Sequence, residues 1–506
     1  MTQRRQNVEA VARGGGVMLV AMVLGQALLL GHDMQVNWAL STDAYGIYAT
    51  CRRAMLIAFL FVFLGLENAV IRYVSESRAD EDDAAVRGTW RAAQLASLLG
   101  GLAAAAVLWF GAGAVAEVMS PGEERLAGAL RILSLALPLA AVRMMATSAT
   151  QGLLVMWPKA LILQVAWPAV NIVGVYVLAV SLDMGLTGVL TAYDISMAFG
   201  AVLAMWTLWR LRPDALDPRQ PSKPMLQPLA VMALPLWIYT LVNALYMWAD
   251  QLLLARIDGM EAAGIYGPVA ALSPVFGLAL HGLYGMFSPM IATLCKQGDR
   301  DELQGLFVTV TRWTILLVLP MTVGTLIAAD SVVGVWPSGR LEAVPAMRIM
   351  AVAQLIAVVG GSAQYVLVMS GNQWQVVWGG VPTIVVNLVA SYTLIPRYGA
   401  TGAALAYGSA MCFTTVVSLA QVAWFVKIRP LGRSMVRPFV AMVPAAAAGW
   451  GTAAVLPELP SMVEVALVGL PLGLVYAVAL KLVGLHDDDE VVISAVTRKI
   501  KAKLGR

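Results

Sequence analysis

Two adjacent arginines, Arg52 and Arg53, stand inside a long apolar run, residues 45–66. A guanidinium presents a planar fork of N–H donors that matches phosphate or carboxylate oxygens. In apolar surroundings such a pair either binds an anion or forms half of an internal ion pair, with Asp194 as one candidate partner. Neighbouring residues on a helix diverge by about 100°, so the two cannot point equally at one ligand. Arg143 offers a further cationic position, open between a phosphate station and an inter-helix pairing role. Asp194 and Asp250 could each hold a cation or proton, or neutralise an arginine. His281 could titrate near neutrality, or simply pack. Asn243 and Trp248 lie among Trp237, Tyr239 and Tyr246, a set suited either to sugar stacking or to ordinary packing against lipid. Other chemistry is absent from the pattern. There is no GxxxxGK[ST] phosphate loop and no recognisable nucleophile–base pair. Three cysteines without CxxC spacing and three scattered histidines propose no metal site.

The elements that must carry these residues follow from composition. Of 506 residues, 59% are hydrophobic and only 13% charged, with a mean hydropathy of +0.76. Soluble domains carry about 25% charged residues, so a soluble α/β enzyme, a disordered chain and a nucleic-acid binder are excluded. Apolar runs fall near 14–37, 45–66, 92–116, 128–152, 160–181, 187–209, 229–254, 264–290, 305–328, 345–369, 374–395, 401–426, 437–456 and 462–484. Each approaches the length of about 20 residues that crosses a bilayer as a helix. The expectation is an all-α polytopic membrane protein with about fourteen spans, the first a true helix rather than a cleaved signal. Arg52 and Arg53 then sit about 12 Å from the outer end of span 2, at about 1.5 Å per residue. Ionisable groups at that depth face a cavity or a partner. Arg131, Arg312 and Arg348 lie nearer span ends, where reaching the membrane surface explains them more cheaply. Pro274 and Pro289 in span 8 are expected bending points, since proline removes a helical hydrogen bond.

Charge placement orients the chain. Only Arg125, Arg256, Arg340 and Arg397 fall in loops on the side opposite the N-terminus, out of 34 Lys and Arg. The positive-inside rule therefore puts both termini in the cytoplasm. Residues 1–209 form a first six-helix lobe, 210–228 a proline-rich cytoplasmic linker, 229–427 a second six-helix lobe, 428–484 two additional spans, and 485–506 a basic amphipathic tail suited to lie on the inner leaflet. The lobes repeat. Gly185-Leu-Thr-Gly188 aligns with Gly399-Ala-Thr-Gly402, Asn171 and Tyr176 with Asn387 and Tyr392, and Gly46-Ile47-Tyr48 with Gly264-Ile265-Tyr266. Six-span units in the same orientation are parallel repeats about an axis along the membrane normal. The mates of Arg52 and Arg53 are Ala270 and Ala271, so the charges were added to one half only.

Asp43-Ala-Tyr-Gly-Ile-Tyr48 opening span 2, Glu67 to Glu76 closing it, Asp250 to Arg256 ending span 7, Ala263-Gly-Ile-Tyr266 and Gly399-Ala-Thr-Gly402 occur in an order that resembles the polysaccharide transporter, Wzx-type, branch of the MATE-like flippase superfamily. The resemblance covers roughly residues 10–485. It implies a V-shaped pair of helical bundles that alternates access across the bacterial inner membrane. It implies no enzymatic activity, and export of a polyprenyl-diphosphate-linked saccharide such as an O-antigen, capsule or exopolysaccharide unit. Membrane lipids, a polysaccharide polymerase and a chain-length regulator would be its partners, and nucleic acid would not. No cofactor is implied beyond a coupling H+ or Na+. On that reading Arg52, Arg53, Arg143, Asn243 and Trp248 would contact substrate, while Asp194, Asp250, His281, Pro274 and Pro289 would couple or gate. A lipid II flippase and a cation-coupled multidrug exporter stay open as alternatives. A drug exporter, however, should carry an acidic cavity and normally about twelve spans, whereas the deepest charges here are basic.

Overall fold

The computed structural model describes residues 2–483 apart from 213, 215, 216, 218, 337–340, 430, 431 and 458. The proposed tail at 485–506 lies outside them. Among the described residues the chain is helical, without a strand. The helices are α1 (Thr2–Ala39), α2 (Thr42–Phe63), α3 (Leu66–Ala79), α4 (Asp83–Phe110), α5 (Ala112–Met119), α6 (Glu124–Ser134), α7 (Ala136–Gly152), α8 (Trp157–Leu161), α9 (Trp167–Val175) and α10 (Gly185–Leu211). After residues 212–225 follow α11 (Leu226–Asp258), α12 (Met260–Gln297), α13 (Arg300–Ile327), α14 (Ala329–Gly334), α15 (Val344–Met369), α16 (Gln373–Gln421), α17 (Arg437–Val455) and α18 (Ser461–Val483). Eleven segments among the described residues are long and apolar enough to cross a membrane, which makes this a multi-pass membrane protein. The longest, Trp374–Val426, contains two of the expected spans. Gly399 breaks it with φ 52° and ψ −128°, at the start of the second expected span.

Local sequence explains the interruptions. The Ser41 hydroxyl accepts from the Ala44 amide and starts α2, as a serine N-cap should. Leu64 and Gly65 take positive φ of 51° and 70° and end it. Pro168 stands at the start of α9, after a π-helical turn at Ile162–Ala166. A second such turn, Tyr176–Ser181, closes the same span.

The chain divides into two compact units. One comprises Met1–Val275, Trp336–Ala343 and Gly380–Tyr407; the other comprises Phe276–Val335, Val344–Gly379 and Gly408–Arg506. The first division on the chain falls between Val275 and Phe276, one residue past Pro274. In the first unit, Tyr45, Ile47, Leu130, Leu133 and Leu137 form a closed core between α2, α6 and α7. Val70, Val74, Trp90, Met145 and Leu208 form another between α3, α4, α7 and α10. With lipid as the alternative solvent, such packing rests on van der Waals fit rather than on escape from water. In the second unit, α13 packs on α15 and α17 on α18. There Gln364 donates to the Thr414 hydroxyl at 3.2 Å, and Arg348 pairs with Asp330 at 3.6 Å across an exposed edge. Arg312 does not reach the membrane surface as its position near a span end suggested. It is 2% exposed, turned into the packed face of α13.

The linker is docked rather than loose. Lys223 pairs with Asp82, and its backbone amide donates to the Ala84 carbonyl at 3.0 Å. Arg87 donates to the Pro221 carbonyl at 2.9 Å and pairs with Asp214 at 3.1 Å. Arg91 donates to the Gln220 and Asp217 carbonyls, while Arg212 bridges Asp83 and Asp214. Gly88 makes this possible, because a Cβ there would overlap the Lys223 backbone. The hydrogen bond from Lys223 lowers the Asp82 pKa. For Asp214, burial acts upward but the bonds from Arg212 and Arg87 prevail, leaving it below the usual carboxylate range.

Candidate functional site

The two arginines of α2 diverge, as adjacent helical positions must, and each meets a different helix. Arg52 Nη1 stands 3.4 Å from Asp33 Oδ1 of α1, with side chains 26% and 1% exposed. Its guanidinium carbon lies 5.9 Å from the Tyr48 ring centre. The other carboxylate oxygen of Asp33 accepts from the Tyr45 hydroxyl at 2.7 Å and from Trp336 Nε1 at 2.9 Å. The carboxylate that meets Arg52 is therefore Asp33, not Asp194. Arg53 Nε donates to Gln251 Oε1 of α11 at 2.8 Å, and Nη2 to the Ala270 carbonyl of α12 at 3.4 Å. Next to Gln251, Asp250 is 3% exposed and accepts from the Tyr266 hydroxyl at 2.6 Å. Each arginine thus has an acid–tyrosine pair close by: Asp33 with Tyr45 for Arg52, Asp250 with Tyr266 near Arg53.

The repeat explains this arrangement. Gly46 and Gly264, equivalent positions in the two halves, lie against each other where α2 meets α12. A Cβ on Gly46 would stand 3.0 Å from the Gly264 nitrogen, and one on Gly264 3.2 Å from the Gly46 nitrogen. Small residues let membrane helices approach to backbone contact. That contact brings Arg53 within reach of both α11 and α12.

Arg143 belongs to a separate station. It is 6% exposed on α7, with its guanidinium carbon 5.1 Å from the Trp167 ring centre. Tyr193 meets Trp167 edge-on at 5.8 Å. Gly200 leaves room for the arginine stem, since a Cβ there would lie 2.9 Å from Arg143 Cδ. Nε and Nη1 of Arg143 find no hydrogen-bond partner among the described residues. Asp194, on the same α10 as Gly200, is half-buried with Oδ1 likewise unpartnered. Among the described residues no hydrogen bond or ion pair joins Arg143 to Arg52 or Arg53, although Tyr193 lies within electrostatic reach of both Arg143 and Arg52. Asn243 and Trp248 are half-buried on α11 and Pro274 lies in α12. His281 and Pro289 fall on α12, and Tyr239 and Tyr246 on α11, all four with side chains outside the described ones.

Sequence reasoning missed Asp33, Tyr45, Gln251 and Trp336. Asp33 carried a usable signal: it is an acid inside the apolar run 14–37, beside His32. An ionisable group there calls for a partner. Trp336 had none, being distant in sequence and in a loop. Among the described residues no group of acidic, histidine or cysteine side chains is arranged to hold a metal ion.

A family model described as polysaccharide biosynthesis protein matches residues 39–339. No curated protein matches the chain. Several solved structures share its fold. An inward-facing multidrug resistance MATE family transporter of the MOP superfamily aligns with TM-score 0.70 and 14% identity, over 82% of this chain and 98% of that one. The lipid II flippase MurJ, in an inward closed conformation, aligns with TM-score 0.68 and 12% identity, over 91% and 97%. A MOP superfamily transporter from Pyrococcus furiosus, described as having reversed polarity of its binding pocket, aligns with TM-score 0.62 and 14% identity, over 83% and 95%. At these identities the likeness establishes the fold: a MATE-like helical membrane protein, as the sequence resemblance implied.

Proposed function

Because this chain belongs to the polysaccharide biosynthesis protein family and has the fold of MOP flippases and transporters, we propose that it flips a polyprenyl-diphosphate-linked oligosaccharide across the bacterial inner membrane. Cargo would enter from the cytoplasmic leaflet, with both chain termini cytoplasmic, and leave toward the periplasm by alternating access. The carrying observation is the pair of half-buried guanidiniums on α2. Arg52 has one carboxylate contact and no hydrogen bond from its Nε or Nη2 among the described residues. It can engage an incoming diphosphate through those donors while Asp33 holds its orientation. An unpaired anion in a hydrocarbon-like interior is very costly; fixed guanidinium donors replace its water, while the polyprenyl tail stays in lipid. Arg143, stacked on Trp167 with free donors, provides a second anionic stop. Asn243 and Trp248 contact the saccharide. Asp194 takes the coupling proton or Na+.

The test is binding to purified protein in nanodiscs. Polyprenyl-diphosphate oligosaccharide should bind, and Arg52→Ala should weaken it by about thirty-fold, the loss of roughly 2 kcal/mol expected for one desolvated charge-assisted contact. Tighter binding of lipid II, or of an organic cation, would replace the proposed substrate.

A further inference from the structure

A groove of about 500 Å³ runs between α7 and α10, away from the arginines of α2. Leu139 and Val142 line one wall, and Ala198, Val202, Trp206 and Trp209 the other. Val202, Trp206 and Trp209 are 69%, 49% and 48% exposed, so the groove is open along its length. Apart from the indole N–H groups of Trp206 and Trp209, the lining is apolar and offers nothing that could hold a sugar. Its occupant must be an apolar chain. At its end the guanidinium of Arg210 lies 5.5 Å from the Trp206 ring centre and 5.9 Å from that of Trp209. Arg210 has no ion pair among the described residues. Cation–π stacking fixes the plane of the group and leaves its N–H donors for an anion.

We propose that this groove binds an anionic phospholipid of the cytoplasmic leaflet, one acyl chain lying between α7 and α10 and the phosphate meeting Arg210. Length supports one leaflet. From Ala198 to Trp209 the helix rises about 17 Å, roughly half of a 30 Å hydrocarbon core. An acyl chain ends within that depth, whereas a polyprenyl chain would run far past it. Tryptophans at the headgroup level and a free arginine at the anionic inner surface fit the same occupant. The leaflet assignment rests on the orientation proposed above; the identity of the occupant does not.

Native mass spectrometry of protein released from mixed phosphatidylglycerol and phosphatidylcholine nanodiscs reads the site. Wild type should retain phosphatidylglycerol in preference. Arg210→Gln should lower that preference about five-fold, the value of one arginine at an anionic surface, and Arg210→Lys should keep most of it. Ala198→Phe, which fills the groove, should reduce retention of both lipids. Monodispersity and helical content of each variant exclude misfolding as the cause. Unchanged phosphatidylglycerol retention in Arg210→Gln overturns the proposal, as does displacement of phosphatidylglycerol by an equal amount of polyprenyl phosphate. Labelling of Ser222→Cys from the periplasmic side alone would overturn the leaflet assignment and leave the occupant standing.

Discussion

Removing Asp33 tests how the α2 arginines are held. Its carboxylate is 1% exposed and serves three groups: Arg52 at 3.4 Å, Tyr45 at 2.7 Å and Trp336 at 2.9 Å. Asp33→Ala strands a half-buried guanidinium and orphans two neutral donors. Breaking a buried pair from one side costs about 3–5 kcal/mol, so we expect about 4 kcal/mol of destabilisation. Arg52→Ala should cost less, about 2 kcal/mol, because Asp33 keeps two donors and the arginine is 26% exposed. In the double variant neither charge is stranded. The sum of the singles should then exceed the double by roughly 2 kcal/mol, well beyond the additivity of independent sites. The assay is reversible unfolding in mixed micelles for the four proteins of the cycle. Additive effects, within about 0.5 kcal/mol, would mean that Asp33 does not hold Arg52, and the engagement argued for the diphosphate would lose its frame.

Three further outcomes follow from the packing. Gly264→Leu should force α2 and α12 apart, break the Arg53 bonds to Gln251 and Ala270, and abolish transport while the protein still inserts; disulfide trapping between cysteines at Thr42 and Met260 reads the separation, and its yield should fall well below that of wild type. The linker carboxylates Asp82 and Asp214 titrate below their usual range, so their stabilisation is present above the ordinary pKa of about 3.9 and is lost as pH falls through the lowered values; cleavage of residues 210–228 by an acid-active protease should stay slow at pH 5 and accelerate below about pH 4. Pro274→Ala restores a helical hydrogen bond at the division between the two units and should slow flipping several-fold with substrate binding unchanged, measured side by side in proteoliposomes.

The fold was largely legible because hydrophobic run length and the bias of Lys and Arg are read one residue at a time. Gly46 and Gly264 were legible as repeat mates, yet nothing in either motif says that mates touch. Contact between distant helices depends on packing geometry, not on local pattern. The same limit hid Trp336, which reaches Asp33 from a loop some 300 positions away, at a sequence separation of 303. Arg312 misled for a related reason: its distance from a span end is local, while its burial depends on the neighbours of α13. Arg52 and Arg53 stood out because charge in an apolar run is costly wherever the run folds. Their partners emerged only in three dimensions, one acid in α1 and one amide in α11.

The most direct measurement is flipping itself. Purified protein in proteoliposomes, given a fluorescent polyprenyl-diphosphate oligosaccharide on one face, should move it to the other, where a membrane-impermeant quencher reaches it. Arg52→Ala and Arg53→Ala should each remove most of that activity at equal protein content, and Arg→Lys at either position should keep part of it, because an ammonium retains the charge without the planar fork. Wild-type rates in both alanine variants, or no movement of the lipid by the wild-type protein, would contradict the account.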